Sequence, residues 1–195
     1  GVTLKIAPDG EVIAQGGNLM IGYWQNEKAT NETIIDGWLH TGDIGELDAD
    51  GYLTITDRKK DIIVNSGGDN ISPARIEGFL TLETEIGQAM VYGDKKPNLV
   101  AIIVPDPEFL NEWCKANNKP KDLAELTDDK DLIAAVDKAI KTVNQHLANV
   151  EKVRKFIISP EEFTTDNGFM TPSLKVKRHL VKGKYGEQLE ALYTK

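Results

Sequence analysis

Two Asp-Gly steps, Asp9-Gly10 and Asp50-Gly51, each interrupt a run of alternating apolar and polar residues, and a tight hairpin is the structure such a step favours. The stretches "TLKIAPDGEVIAQG" and "GELDADGYLTIT" therefore predict two β-hairpins, making residues 1–57 mostly β. Between them, "NEKATNETIIDGWLHTG" sets helix-favouring residues after Asn26 and a turn at Gly37, the pattern of a short linking helix. Past Asp57 helices begin to alternate with strands, so a boundary is expected there.

In the second part, Ser72-Pro73 pairs an N-cap residue with a proline at the first helical position and predicts a helix to about Leu82. "GQAMVYG" and "LVAIIVP" read as two strands joined by the turn-rich "DKKPN". A helix opens at Asp106-Pro107, and Leu132, Val136, Ile140, Val143 and Leu147 form one apolar stripe on a long helix that carries His146. "VRKFIIS" predicts a strand, "TDNG" a turn, and "SLKVKRHLVKGKYGEQLEALY" a helical tail, first basic and then acidic. The class expected is α+β, with short sheets flanked by helices and preceded by β-hairpins.

The 195 residues carry a net charge of −8 with 28% charged side chains, which describes an acidic soluble protein and argues against general nucleic-acid binding. The longest apolar run, "LVAIIV", has six residues, against the roughly twenty that a membrane-spanning helix needs. With a single cysteine, Cys114, and no charged-then-apolar leader, a reducing cytoplasm is the expected setting. A first residue of Gly1 suggests a chain that starts within a longer protein or follows a cleaved tag.

Glu46, Asp48, Asp50, Gly51 and Asp57 approach the spacing of a calcium-binding loop, but the flanks alternate as strands and the final acid is Asp, too short for the usual bidentate Glu. A hairpin loop is the better reading. "NSGGDN" offers glycines that let backbone amides approach an anion, yet no Lys-Ser/Thr follows, and on composition alone a turn before a helix is favoured. His40, His146 and His179 are scattered and lack cysteine partners, which disfavours a structural zinc site. Asp43 in "TGD" and Arg58 in "DRKKD" are a sharper pair. A carboxylate accepts from both vicinal hydroxyls of a ribose and a guanidinium supplies several fixed donors, although a turn cap and a surface ion pair would explain either residue alone.

"GEVIAQGGNLMIGYW", "WLHTGDIG", "GYLTITDRKKDIIVNSGGDNISPARIE" and "MTPSLKVKR" follow one another in the order and spacing that resembles adenylate-forming enzymes, the superfamily of acyl-CoA synthetases, luciferase and peptide-synthetase adenylation domains. The ending "TPSLKVKR" is most similar to long-chain fatty acid CoA ligases. The resemblance implies that 1–57 are the last strands of a large N-terminal domain and 58–195 a complete, mobile C-terminal domain. The ATP loop, the Mg2+ carboxylate and most of the acyl pocket would then lie outside this chain, leaving it inactive by itself, with ATP/AMP, CoA and Mg2+ serving the full-length enzyme.

By the same resemblance Asp43 contacts the ribose hydroxyls, Arg58 helps there, and Lys60 is the hinge. The Gly67-Gly68 loop faces the active site during thioester formation, and Lys175 reaches the acyl carboxylate and phosphate during adenylation. Lys175 would be one cation among Lys177, Arg178, Lys182 and Lys184 on a solvated helix, the other four being candidates for CoA phosphates. Leu174 stands where many relatives have glycine, so Lys177 is the second candidate. The parent is read as a cytoplasmic or membrane-peripheral fatty acid ligase without nucleic-acid partners. A ligase acting on a carrier protein or stopping at acyl-AMP, and a non-catalytic nucleotide- or CoA-binding module, stay open.

Overall fold

Asp9-Gly10 turns the chain through a glycine at φ 86°, in the left-handed region, and Asp9 Oδ1 accepts the amide of Glu11 at 3.2 Å. This joins β1 (Val2–Ile6) to β2 (Glu11–Gly16) as an antiparallel pair. Asn26 caps α1 (Glu27–Thr33) by accepting the amide of Ala29 at 3.0 Å. β3 (Ile34–Ile35) then turns back through Gly37 onto β4 (Trp38–Leu47), and β4 pairs with β5 (Leu53–Arg58) across the Asp50-Gly51 turn. There Asp48 Oδ1 accepts the amides of Asp50 and Tyr52, so the acid ties a hairpin loop. The strands make one five-stranded sheet in the order β1-β2-β4-β3, with β5 also on β4.

The computed structural model describes residues 1–194, and the chain divides into two compact units between Ile62 and Ile63. A 3-10 turn, Lys59–Asp61, closes the first unit.

The second unit opens with a small hairpin, β6 (Ile63–Val64) and β7 (Asn70–Ile71), and then α2 (Pro73–Leu80), capped by Ser72. Its main sheet comprises β8 (Ile86–Tyr92), β9 (Leu99–Pro105) and β10 (Val153–Ile158), with β9 central, antiparallel to β8 and parallel to β10. The crossover from β9 to β10 runs through α3 (Pro107–Asn117), α4 (Leu123–Leu126) and α5 (Lys130–Asn144). β9 explains the six-residue apolar run, because both faces of that strand are covered. Leu99, Ala101 and Ile103 join Ile76, Leu80, Leu132, Val136 and Ile140 on one face. Val100, Ile102 and Val104 meet Phe163, Phe169, Val181, Tyr185 and Leu189 on the other, the last three from α6 (Arg178–Ala191). Each large aliphatic side chain so buried stabilises by roughly 1.5–3 kcal/mol relative to exposure.

Three expected boundaries shift. The helix after Ser72 stops at Leu80, with Thr81 as its C-cap, two residues short of Leu82. α5 stops at Asn144, whose side-chain amide pairs with the backbone of Val153 at 2.8 and 3.0 Å, so His146 lies beyond the helix. The tail is helical only from Arg178. Residues 171–177 form a hairpin instead, since Leu174 takes φ 58° and Met170 bridges to Val176. Among the described residues no helix is long and apolar enough to cross a membrane.

Candidate functional site

The first unit carries the Asp43–Arg58 pair. Asp43 and Arg58 are register partners of β4 and β5, so the ladder sets their side chains near one another before any ion pair forms. Arg58 Nη1 donates to Asp43 Oδ1 at 3.0 Å. Asp43 Oδ2 and the remaining guanidinium donors have no partner among the described residues. An open carboxylate oxygen beside open guanidinium donors suits a vicinal diol, which both donates and accepts. Asp43 sits at an irregularity of β4, where the pairing with β2 shifts register. Thr41 Oγ1 donates to the carbonyl of Val12 at 2.6 Å and accepts the Asp43 amide at 3.1 Å, while Gly42 lies at φ 73°.

Glu11 went unread in the sequence, where it looks like a hairpin residue after the Asp9-Gly10 turn. It is 3% exposed, and its carboxylate accepts from the Gly42 amide at 2.8 Å and from Lys59 Nζ at 3.0 Å, and pairs with His40 Nδ1 at 2.7 Å. Burial pushes this carboxyl up, but the hydrogen bonds from His40, Lys59 and Gly42 together outweigh it and hold it below its ordinary value. Lys59 also reaches Asp9 at 2.7 Å, and those two carboxylates hold its ammonium above the usual lysine value. Lys60, the next residue, is exposed within the 3-10 turn.

In the second unit, the Gly67-Gly68 loop is organised by Asn65, a buried side chain whose Oδ1 accepts the amides of Gly67 at 2.8 Å and Asp69 at 2.9 Å. Gly68 adopts φ 89°, and a Cβ there would meet nothing, so backbone conformation and not crowding demands glycine. The Gly67 amide is used by Asn65, which leaves the loop a closed turn and not an open anion cradle.

Lys175 is exposed on the 171–177 hairpin, and its ammonium has no partner among the described residues. The Thr171 amide donates to the Lys175 carbonyl at 2.9 Å, the Leu174 amide to the Thr171 carbonyl at 2.9 Å, and the Lys177 amide to the Phe169 carbonyl at 2.7 Å. Lys177 is half-buried at the start of α6. The expected basic cluster therefore divides. Arg178 donates to Glu77 and to the carbonyl of Val91, Lys184 pairs with Glu161, and Lys182 lies 5.2 Å from the Tyr92 ring. These three hold α6 to its surroundings, and the partners Glu77 and Glu161 are too distant in sequence to have been foreseen. Among the described residues no three His, Cys, Asp or Glu side chains gather to hold a metal ion.

A model of the family described as "AMP-binding enzyme C-terminal domain" matches residues 60–195. The long-chain-fatty-acid–CoA ligase FadD15 of Mycobacterium tuberculosis is 47% identical over all of this chain, which covers 33% of that protein. The fatty acyl-CoA synthetase B of Dictyostelium discoideum is 37% identical over 95% of the chain and 28% of its own length. The chain thus spans about a third of these relatives. Among solved structures, the adenylation domain of the carboxylic acid reductase from Segniliparus rugosus, in complex with AMP, superposes with a TM-score of 0.82 at 26% identity, over 99% of this chain and 31% of that one. The o-succinylbenzoate CoA synthetase of Bacillus subtilis, also in complex with AMP, gives 0.63 at 30% identity, over 93% of this chain and 33% of that one.

Proposed function

The chain belongs to the family of AMP-binding enzyme C-terminal domains, and from that premise we propose that it is the C-terminal part of an ATP-dependent long-chain fatty acid CoA ligase. Residues 1–57 would be the last strands of the large domain and 58–195 the mobile one. The observation that carries the substrate class is the 47% identity to a long-chain-fatty-acid–CoA ligase along the whole chain.

In the proposed reaction the fatty carboxylate attacks the α-phosphate of ATP, an acyl–phosphate bond forms and pyrophosphate leaves. The CoA thiolate then attacks the acyl carbonyl, a thioester forms and AMP leaves. In the first step two anions approach, and the unpaired ammonium of Lys175 would offset both their repulsion and the charge growing in the transition state. Asp43 Oδ2 would accept the ribose hydroxyls, with Arg58 donating beside it. Lys60 would be the pivot about which the second unit turns, withdrawing Lys175 and presenting the Gly67-Gly68 loop for thioester formation. Mg2+ supplies charge neutralisation on the phosphates in such chemistry. The described residues offer it no ligand cluster.

A carrier-protein thiol in place of CoA is the second reading, supported by the likeness to adenylation domains of carboxylic acid reductases. The intact parent, given palmitate, ATP and magnesium, should release pyrophosphate and form palmitoyl-CoA with CoA as acceptor. Transfer only to a carrier protein would select the second reading, and no acyl-AMP with any acceptor would reject both. Peripheral attachment to the inner face of the cytoplasmic membrane belongs to the same proposal, since the substrate is a membrane-partitioning amphiphile.

A further inference from the structure

A closed ring of contacts runs through the Asp43 and Glu11 carboxylates. The Gly42 amide donates to Glu11 Oε1 at 2.8 Å, Asp43 follows Gly42, Arg58 Nη1 donates to Asp43 Oδ1 at 3.0 Å, Lys59 follows Arg58, and Lys59 Nζ returns to Glu11 Oε2 at 3.0 Å. Two side branches stiffen it, His40 on Glu11 Oε2 at 2.7 Å and Lys59 on Asp9 at 2.7 Å. Charge-assisted bonds dominate, and the buried Glu11 carboxylate has little freedom to leave them. The opposite wall of the ring is the β4–β5 ladder itself.

We infer that Glu11 is a positioning residue that locks the ribose-side bulge of β4, Thr41–Asp43, to Lys59, the residue immediately before the pivot. Two consequences follow from one carboxylate. Asp43 Oδ2 is held in one orientation for a diol, and the backbone is pinned through Lys59, so that rotation starts at Lys60 or later. The inference rests on the proposed roles of Asp43 and Lys60, while the ring itself belongs to the geometry of the first unit.

The test uses Glu11→Gln, which keeps the shape and an acceptor for Gly42 but removes the charge that holds Lys59. In the 195-residue chain, amide hydrogen exchange at Gly42 should speed up by about fivefold or more, with amides of 86–104 unmoved, as loss of one charge-assisted contact implies. In the intact enzyme the KM for ATP should rise about tenfold while the KM for fatty acid stays put, and in an Asp43→Ala background the same change should add nothing further. Unaltered Gly42 exchange, an unmoved ATP KM, or losses that add in the double variant would overturn the inference. If the unsubstituted enzyme forms no acyl-AMP, the ligase reading fails, and the exchange measurement still decides whether Glu11 holds this segment of β4. Should Glu11→Gln not fold, Lys59→Gln opens the ring at its other end and is read by the same measurements.

Discussion

Thr171 binds the Lys175 backbone at both its carbonyl and its amide: the Thr171 amide donates to the Lys175 carbonyl at 2.9 Å, and Thr171 Oγ1 accepts the Lys175 amide at 3.1 Å. The side-chain bond can be removed without loss of shape. Thr171→Val should free the Lys175 amide and slow adenylation about threefold to tenfold, corresponding to the ~0.5–1.5 kcal/mol of one neutral hydrogen bond. Thioester formation from supplied acyl-AMP should be unchanged. Equal rates in both half-reactions of the variant and the unsubstituted enzyme would show that Thr171 does not position Lys175.

Leu174 holds φ 58° while its side chain is 72% exposed. The left-handed conformation costs a non-glycine residue about 1–2 kcal/mol, and little burial is recovered in exchange. Leu174→Gly removes that strain but adds unfolded-state freedom worth about 0.5–1 kcal/mol, so the second unit should gain up to about 1.5 kcal/mol. Leu174→Val should lose stability, because a β-branched residue tolerates this region least. Thermal melts should therefore rank Gly above Leu above Val, and a Val variant as stable as Gly would contradict the backbone assignment.

The ion cluster of the first unit predicts how its stability depends on pH. Glu11 is held below its ordinary value of 4.5, so its contribution is present above that pH and disappears as pH falls through the lower folded value. Lys59 is held above 10.5, so its contribution is complete below 10.5 and disappears as pH rises through the higher folded value. Glu11→Gln should flatten the acid limb and shrink the alkaline one. Urea midpoints followed by Trp24 and Trp38 fluorescence across pH would register both changes, and an unchanged acid limb would remove Glu11 from the cluster's energetics.

Local chemistry made much of this legible. Asp-Gly steps gave both hairpins of the first unit, Ser72, Asp106 and Asn26 mark helix starts that they cap, and the "LVAIIV" run is the central strand with two covered faces. Asp43 and Arg58, singled out as a pair, do meet. What escaped depends on contacts distant in sequence. Glu11 acquires its surroundings only when β4 and the 3-10 turn arrive 29 to 48 residues later. Arg178 and Lys184 read as free cations in the sequence, since Glu77 of α2 and Glu161 beyond β10 reach them only in the fold. Basic residues at helical spacing say nothing of the left-handed backbone at Leu174, so the tail becomes helical only at Arg178.

Lys60 lies in the 3-10 turn two residues before the division between the units, directly after the pinned Lys59. Proline there fixes φ, whereas a pivot has to change it. Lys60→Pro in the parent should impair one half-reaction far more than the other, with the far-ultraviolet circular dichroism unchanged. Comparable losses in both, in a folded protein, would move the pivot away from this residue.

Lys175 and Lys177 are both lysines without a side-chain partner among the described residues, but their settings differ. Lys175 is exposed on a hairpin whose backbone is held by Thr171, while Lys177 is half-buried and its amide is spent on Phe169 at the entrance to α6. A cation meant to reach a reacting phosphate needs both a free ammonium and a fixed base, and Lys175 has them. In the parent, Lys175→Ala should slow adenylation by roughly a hundredfold or more, about 2.7 kcal/mol of transition-state stabilisation. Thioester formation should persist, since in the proposed rotation the ammonium leaves the site before that step. Lys182→Ala, which removes only a contact with the Tyr92 ring, should change neither step much. Pyrophosphate release and acyl transfer, measured separately, decide the matter: an intact Lys175→Ala enzyme alongside a dead Lys177→Ala enzyme would transfer the role two residues along, from the hairpin to the entrance of α6.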